Sequence, residues 1–466
     1  GWSNKPGYGN LIDYTFTNTS LEGHYFNFTS LVYGWITGGY QTDCGLVLKA
    51  HTESGDNNRI GYSNDYLDKK IWICYRDIQG IEDYWQYTSM DSGYDGTTMV
   101  NTFSGHVVSV QPLASADGNN MPVSINLVYN PYYSSADAYG NLYNNIKPTS
   151  KETFTGEGWR TNYQMKVRAC ESPSQKNTYP YIYTDADGTD HYFYYKNGKT
   201  TDPIVDEDGL GYTLTKGSGN TTYTITDKQG GKMTFNSNGL LSSIINTNNQ
   251  KVTIQYGSGD YAKRIASITD GSGRKFTFKY ENANNAYALT SIVKPSNKEN
   301  AKLFYSGNKL SKVFYKTKYI YYSYASFSGG STLSTIRVAS MHETMILYSY
   351  GSKGQTGYAP LRDMVVALQN IACGNAAAPP IELEYQDNSL NVLNAEDLLE
   401  RYDFSYQINQ TTVKDKANRS TIYQFNNFGQ TTSVQDVSSG TSMFYEHGAP
   451  GTTNTSGTQN KLLTSS

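Results

Sequence analysis

From residue 238 onward the chain repeats one short pattern six times, and this repeat constrains the fold more than any other feature. Each copy begins with an apolar residue, two small or polar residues and then Ile or Val, and it closes on Tyr. A sixth, weaker copy opens on Thr431. The closing residues, which we predict to be structural tyrosines, are Tyr256, Tyr280, Tyr305, Tyr324, Tyr348 and Tyr445.

Each copy reads as one β-hairpin. The Leu-x-x-Ile segment forms one strand, a polar turn such as 269–273 follows, and a return strand such as 275–280 ends at the tyrosine. Alternation places Phe276, Phe278 and Tyr280 on one face and polar residues on the other. An isolated hairpin is marginal in water, so consecutive hairpins must pair edge to edge into a continuing sheet.

The composition agrees with many short strands. The chain holds 43 Tyr and 16 Phe, which fit a pleated and half-buried surface, and its 43 Gly favour tight turns. The net charge is −3 without a run of Lys or Arg, so we expect no nucleic-acid partner. No stretch approaches the roughly 20 apolar residues that a membrane-spanning helix needs, so we expect no membrane insertion.

Over residues 101–450 these features resemble the YD-repeat shell of Rhs, teneurin and insecticidal-toxin proteins. The resemblance implies a long antiparallel sheet that spirals into a shell or barrel-like strip, which in those families encloses a toxic segment or presents an adhesive surface. The chain lacks the family's downstream core-closing and self-cleavage segment and a C-terminal toxin. We therefore expect only part of a shell.

The N-terminal part follows a different pattern. Residues 29–36 place apolar side chains at helical spacing after capping residues, and residues 45–50 read as a buried strand. Over about residues 11–66 this segment resembles the C-terminal half of the DNRLRE module, a β-sandwich of large bacterial surface proteins. The first half of that module is missing, which predicts a fragment of a larger protein.

The predicted fold is therefore all-β, with a partial β-sandwich followed by the long YD-repeat sheet. The predicted domains are a sandwich at 1–72, a connector at 73–100, a β-rich segment leading into the YD shell at 101–235, YD repeats at 236–450 with an insertion near 355–402, and a flexible linker at 451–466.

Two places interrupt the repeat with helical spacing. Apolar residues from Leu361 to Ala372 recur at i, i+3, i+4 and i+7, which predicts a helix or a bulky insertion. Asn394 is a candidate N-cap for a second short helix that contains Leu398 and Leu399. For both segments, packing into a core is the favoured interpretation.

The acidic clusters 185–190 and 206–209 lack the ligand register of a calcium loop, and we interpret the first as an Asp-Gly hairpin turn. The six His are scattered along the chain, and we interpret each of them as a strand or turn residue and not as a metal ligand. No nucleophile motif is present. We interpret the four Cys as buried thiols, and a disulfide between Cys44 and Cys74 is an alternative that the sequence does not decide. We predict no catalytic residue, no metal site and no cofactor.

Three tryptophans near the predicted sandwich, Trp35, Trp72 and Trp85, are candidates for stacking on sugar rings, although Trp is also an ordinary core residue of small β modules. The predicted function is a non-catalytic structural scaffold of a large secreted or cell-surface bacterial protein. Its predicted partner is an enclosed polypeptide of the same parent protein, or a surface glycan or protein. The alternative is a glycan- or cell-surface-binding adhesin, and an enzyme such as a glycoside hydrolase ranks third.

Overall fold

The computed structural model describes residues 80–130, 154–170, 176–217, 219, 222–296, 299–327, 330–338, 343–350, 365–373, 398–407, 409–426, 428–449 and 458–466. The chain divides into two compact units between Asp77 and Ile78, and the described residues belong to the second unit. The predicted sandwich lies outside the described residues, together with Trp35, Trp72, Cys44 and the predicted helix at 29–36. Cys74, in the predicted connector, lies outside them as well.

The described residues form β-strands, together with one 3-10 turn at Gly259–Tyr261. The first five strands make a short sheet: β1 (Tyr87–Gly93), β2 (Gly96–Asn101), β3 (Val107–Ser115), β4 (Ser124–Tyr129) and β5 (Trp159–Thr161). The remaining strands make a long sheet. Its first half comprises β6 (Lys166–Ala169), β7 (Tyr181–Thr184), β8 (Asp190–Tyr195), β9 (Ile204–Asp206), β10 (Thr213–Lys216), β11 (Tyr223–Thr226), β12 (Lys232–Phe235), β13 (Leu241–Ile245), β14 (Lys251–Tyr256), β15 (Ile265–Thr269), β16 (Lys275–Lys279) and β17 (Ser291–Val293). Its second half comprises β18 (Glu299–Ser306), β19 (Lys309–Tyr315), β20 (Lys318–Phe327), β21 (Gly330–Val338), β22 (Glu343–Tyr350), β23 (Val365–Cys373), β24 (Leu398–Gln407), β25 (Gln410–Asp415), β26 (Ser420–Phe425), β27 (Thr431–Asp436), β28 (Thr441–His447) and β29 (Leu462–Ser465).

Each strand of the long sheet pairs antiparallel with the next one along the chain, from β6 to β29. The short sheet is built in the same way, in the order β1 to β5. The predicted all-β fold with a long antiparallel sheet is confirmed. In the part of the chain described here, no helix is long and apolar enough to cross a membrane.

Both predicted helices near the interruption are wrong where the structure describes them. Val365–Cys373 is strand β23, and Leu398–Gln407 is strand β24. Strand β23 pairs with β22 on one side and β24 on the other, so these segments continue the sheet. The helical spacing did not distinguish helix from strand here, because an apolar run that includes Val365 and Val366 suits a buried strand equally well.

The segment predicted as a connector also contributes strands. From Gly80 onward it carries β1 and β2, which form a hairpin and extend the short sheet. Tyr94 and Asp95 turn the hairpin with positive φ values of 52° and 63°. A two-residue turn of this hand matches strand twist, but it is usually signalled by Gly or Asn, which explains why the sequence did not reveal it.

Many hairpins of the long sheet share one five-residue turn, which we call the Asx loop. Its first residue is Asp or Asn, whose Oδ1 accepts hydrogen bonds from the N–H groups of the third and fifth residues, and its fourth residue has positive φ. Asp227, Asn236, Asn246, Asp270, Asp415 and Asn426 begin such loops. The loop therefore fixes hairpin register with local contacts alone.

The core lies between the two sheets. Buried side chains from both belong to one cluster. In β16 burial alternates as predicted, because Phe276 and Phe278 are buried while Lys275 and Thr277 are exposed and Lys279 is partly exposed. Trp159 of the short sheet packs against Tyr322 of the long sheet with ring centroids 4.6 Å apart. Its Nε1 donates to the hydroxyl of Tyr324 at 2.8 Å. The short sheet thus covers part of one apolar face of the long sheet.

The last described residues contact the loop that follows β9. The side-chain amide of Asn460 donates to the carbonyl of Asp208 at 3.0 Å, across 252 positions of sequence. Gly209 has φ +81°, and a Cβ there would lie 2.1 Å from the carbonyl oxygen of Gln459, so glycine is required for this approach.

Candidate functional site

The closing tyrosines make one repeated contact, which we call the tyrosine latch. In four consecutive repeats the hydroxyl donates to the backbone carbonyl of the residue that opens the same repeat. The bonds are Tyr256 to Leu241 at 2.8 Å, Tyr280 to Ile265 at 2.7 Å, Tyr305 to Leu289 at 2.7 Å and Tyr324 to Leu310 at 2.7 Å. Burial raises the pKa of all four hydroxyls above the ordinary value.

The sixth repeat makes the corresponding bond with a different residue. Tyr445 has its hydroxyl 3.5 Å from the sulfur of Met443, and the ring nitrogen Nε2 of His447 donates to the carbonyl of Thr431 at 3.0 Å. The side chain of Tyr348 in the fifth repeat lies outside the described side chains. The latch is therefore seen directly in four of the six predicted positions.

Of the three candidate sugar-stacking tryptophans, the structure describes Trp85. It lies just before β1, is partly buried, and meets the ring of Tyr84 edge to face at a centroid distance of 4.9 Å. Its Nε1 is buried and has no hydrogen-bond partner. Trp35 and Trp72 lie outside the described residues, so sugar stacking by this trio stays a prediction.

The sequence did not predict a second group of polar residues, which we call the carboxylate–histidine cluster. It consists of Glu82, Asp185, Asp187, His191 and Asp208. Its members come from the segment before β1, the β7–β8 hairpin and the loop after β9. His191 and Glu82 expose only 1% and 7% of their surface, which is unusual for ionisable side chains.

The β7–β8 hairpin positions two of these carboxylates. Asp185 begins an Asx loop, in which its Oδ1 accepts from the N–H groups of Asp187, Gly188 and Thr189. This confirms the predicted Asp-Gly hairpin turn. The other oxygen of Asp185, Oδ2, lies 3.4 Å from Nε2 of His191.

Glu82 reaches the cluster because its segment docks on the same turn. The N–H of Ile81 donates to Oδ2 of Asp187 at 2.9 Å. Gly80 has φ +65°, and a Cβ there would lie 1.9 Å from the hydroxyl oxygen of Thr189, so only glycine permits the approach. The N–H of Glu82 then donates to the hydroxyl of Tyr87 at 2.8 Å.

His191 lies at the centre of the cluster. Its Nδ1 is 2.8 Å from Oδ2 of Asp208, and its Nε2 is 3.4 Å from Oε1 of Glu82 and from Oδ2 of Asp185. The imidazole ring stacks on Tyr183 at a centroid distance of 5.7 Å. Ligand atoms of Glu82, Asp185 and His191 all lie within 4.8 Å of one another.

The electrostatics of the cluster follow from burial and mutual charge. Burial raises the pKa of Glu82 well above its usual range, although His191 opposes this. Burial opposes protonation of His191, but the adjacent carboxylates of Asp185, Asp208 and Glu82 outweigh it and hold its pKa well above the ordinary value. Burial and the charge of Asp185 raise the pKa of Asp187 to about 7. The cluster therefore concentrates negative charge around one imidazole.

A search of protein-family models and a search of curated proteins found no match. Solved structures did match. The chain is similar to TcdB2-TccC3 without its hypervariable C-terminal region, at 9% identity and a TM-score of 0.27, covering 78% of this chain and 21% of that one. It is also similar to the Photorhabdus luminescens Tc holotoxin pore, at 9% identity and a TM-score of 0.26, covering 78% and 22%.

A third similar structure is the N-terminal domain of the Salmonella typhimurium effector protein SpvB, at 11% identity and a TM-score of 0.17, covering 68% of this chain and 98% of that domain. The chain spans about a fifth of the length of the first two structures. TM-scores this low leave the function to be argued from the geometry of the chain itself.

Proposed function

We propose that the chain is a non-catalytic structural wall of a larger secreted or cell-surface bacterial protein, and that the long sheet covers polypeptide of the same parent protein. The tyrosine latch carries this proposal. It adds a buried hydroxyl–carbonyl bond to four successive hairpins, so each unit is held by its strand pairing and by a further bond.

The covered face of the long sheet supports the same proposal. The short sheet already packs on it through Trp159, and the hydroxyl of Tyr129 accepts from the N–H of Leu333 at 2.8 Å. The contact surface is apolar and aromatic, and the hydroxyls of Tyr129 and Tyr324 in it are hydrogen-bonded. Such a surface suits the lasting burial of polypeptide better than the reversible binding of a small polar ligand.

Limited proteolysis of the native parent protein tests the wall. Protease should leave the part that contains β6–β29 intact, together with any polypeptide it covers, and mass spectrometry of the resistant fragments should identify both. Rapid cleavage within the paired strands of the native protein would overturn the proposal.

One observation favours the alternative of a glycan- or surface-binding adhesin. The face of the long sheet opposite the short sheet carries an outer aromatic patch, made of Phe304, Phe314, Tyr319 and Tyr321. Phe314 and Tyr319 have ring centroids 5.0 Å apart, and Lys312 Nζ lies 5.0 Å from the Tyr319 centroid. Partly exposed aromatic rings beside a cation offer stacking surfaces to sugars.

Glycan-array binding separates the two functions. An adhesin should bind specific glycans and lose that binding on Tyr319→Ala combined with Tyr321→Ala. Tyr261→Ala is the matched control, because Tyr261 and Tyr319 are equally exposed at 37% and Tyr261 lies outside the patch. Absence of glycan binding by the unmodified protein would eliminate the adhesin alternative for sugars.

A further inference from the structure

His191 presents a chemical conflict that the wall function does not explain. A carboxylate only accepts hydrogen bonds, so the 2.8 Å contact with Asp208 requires a proton on Nδ1. In a neutral ring Nε2 then carries a lone pair instead of a proton. This lone pair faces Oε1 of Glu82 and Oδ2 of Asp185. Three electron-rich atoms converge, and either a proton on one of them or a metal ion between them resolves the repulsion.

The two candidates are a proton shared between Nε2 and one of the carboxylate oxygens, on either atom, and a metal ion, and the distances favour the metal. A good N–H···O bond spans about 2.7–3.2 Å, whereas both oxygens lie 3.4 Å from Nε2. Zinc binds nitrogen and oxygen at about 2.1 Å, and the edge of a tetrahedron with such bonds measures about 3.4 Å.

Glu82 supplies an independent observation that points to a cation. Its side chain is 6% exposed, and its Oε1 is buried without a hydrogen-bond donor while pointing toward His191. An unbonded carboxylate oxygen costs free energy when it is buried, unless a cation compensates it.

We propose that Glu82 Oε1, Asp185 Oδ2 and His191 Nε2 bind one Zn²⁺, with Asp208 orienting the imidazole through Nδ1. A carboxylate on the second ring nitrogen is the usual partner of a zinc-bound histidine. Calcium fits poorly, because it takes six to eight oxygen ligands and this set contains an imidazole. A water molecule completes the tetrahedron.

The proposed ion joins two parts of the fold. Glu82 belongs to the segment that leads into the short sheet, whereas Asp185 and His191 belong to a hairpin of the long sheet. Zinc therefore acts as a structural crosslink between the sheets. This role goes beyond the wall function and does not depend on it.

Metal titration of the whole purified chain tests the site. After treatment with a chelator, the chain should bind one Zn²⁺ in competition with a chromophoric chelator, and its Tm should rise with added ZnCl₂. Glu82→Gln should weaken binding at least tenfold, and Asp208→Asn should weaken it about 10- to 100-fold.

Asp206→Asn is the matched control. Asp206 is buried in the same loop region, but its oxygens accept from the N–H groups of Leu210, Gly211 and Tyr212. We expect this variant to bind Zn²⁺ like the unmodified chain. Equal affinity in Glu82→Gln, or no binding by the unmodified chain, overturns the proposal.

A measurement on the unmodified chain covers the case in which the variants do not fold. Nitrogen NMR of the His191 ring should show Nδ1 protonated and Nε2 without a proton once Zn²⁺ is added. If Nε2 keeps its proton at saturating Zn²⁺, the cluster is an imidazolium held by carboxylates and the zinc proposal is wrong.

Discussion

At the closing tyrosines, one side chain meets two requirements of a packed sheet. The ring is largely buried against the core cluster, while the hydroxyl bonds to a backbone carbonyl of the same repeat. Phenylalanine could meet the first requirement but not the second. The preference for Tyr over Phe at this position follows from that difference.

Removal of one latch hydroxyl should have a measurable cost. Tyr280→Phe leaves the carbonyl of Ile265 without this donor, and we expect the free energy of unfolding to fall by about 0.5–1.5 kcal/mol. Urea unfolding followed by circular dichroism measures the change. Tyr261→Phe, at an exposed ring, is the control, and an equal loss in both variants would contradict the latch.

The same tyrosines make stability depend on pH in alkali. Burial raises the pKa of Tyr256, Tyr280, Tyr305 and Tyr324 above the ordinary value near 10. Above about pH 10 the unfolded chain loses these protons while the folded chain keeps them, so the free energy of unfolding should fall as pH rises.

Two signals recorded across this pH range test the dependence. The tyrosinate absorbance of the buried group should appear together with loss of circular dichroism, after the exposed tyrosines have titrated. Complete titration of all tyrosines in a chain that is still folded would show that the four hydroxyls are accessible.

At the scale of elements, the Asx loop explains how so many hairpins keep their register. The fourth position requires positive φ and is occupied by Gly188, Gly230, Gly239, Gly273 and Gly429 in five loops and by Asn249 and Asn418 in two others. The chain itself therefore shows which residues this position accepts.

A pair of substitutions at Gly273 tests this requirement. Gly273 has φ +80° and open space around its Cβ position, so only backbone strain opposes a side chain. Gly273→Ala should lower the free energy of unfolding by about 1–2 kcal/mol, whereas Gly273→Asn should cost less. Thermal unfolding of the two variants measures the difference. An equal loss of stability in both would show that the positive φ is not the cause.

The sequence predicted the elements that depend on local contacts. The hairpin with its turn at 269–273 and its buried Phe276 and Phe278 is confirmed, since alternation and an Asp-Gly turn are visible in a short window. Strands β23 and β24 were missed, because their pairing with the flanking strands β22 and β25 and with each other decides between helix and strand, and this pairing is not visible in a short window of sequence. The recurrence of the Asx loop was missed as well, although Asp or Asn followed three positions later by Gly or Asn marks it.

At the scale of the molecule, the short sheet and the long sheet stabilise each other. Trp159 is 2% exposed and contacts rings on both sheets, Tyr129 at 5.2 Å and Tyr322 at 4.6 Å. The hydroxyl of Tyr324 links this contact to the latch, because it accepts from Trp159 and donates to Leu310.

Truncation of this tryptophan should therefore destabilise both sheets together. Trp159→Ala should lower the free energy of unfolding by about 3–5 kcal/mol, the usual cost for a fully buried aromatic residue. Hydrogen exchange should then speed up in strands of both sheets. Trp85→Ala, at a partly buried ring, should cost less, and protection lost from β1–β5 alone would argue against a shared core.

The carboxylate–histidine cluster could not have been predicted from the sequence. Ile81 and Asp187 are 106 positions apart, and their contact depends on how the short sheet docks on the long one. The acidic residues at 185–190 are visible in the sequence, but nothing near them indicates that Glu82 and Asp208 join them. Gly80 gave no local signal, since its role is to let Glu82 approach a distant turn.

The tyrosine latch affects how the number of repeats in such a chain can change during evolution. Each latch joins the first and last residues of a single repeat, so a duplicated or deleted repeat carries its own latch with it. Repeats in contact with the short sheet, such as those of Tyr305 and Tyr324, are tied to particular partners and cannot be shifted freely. Recombination can therefore lengthen or shorten the sheet most easily where the short sheet does not touch it.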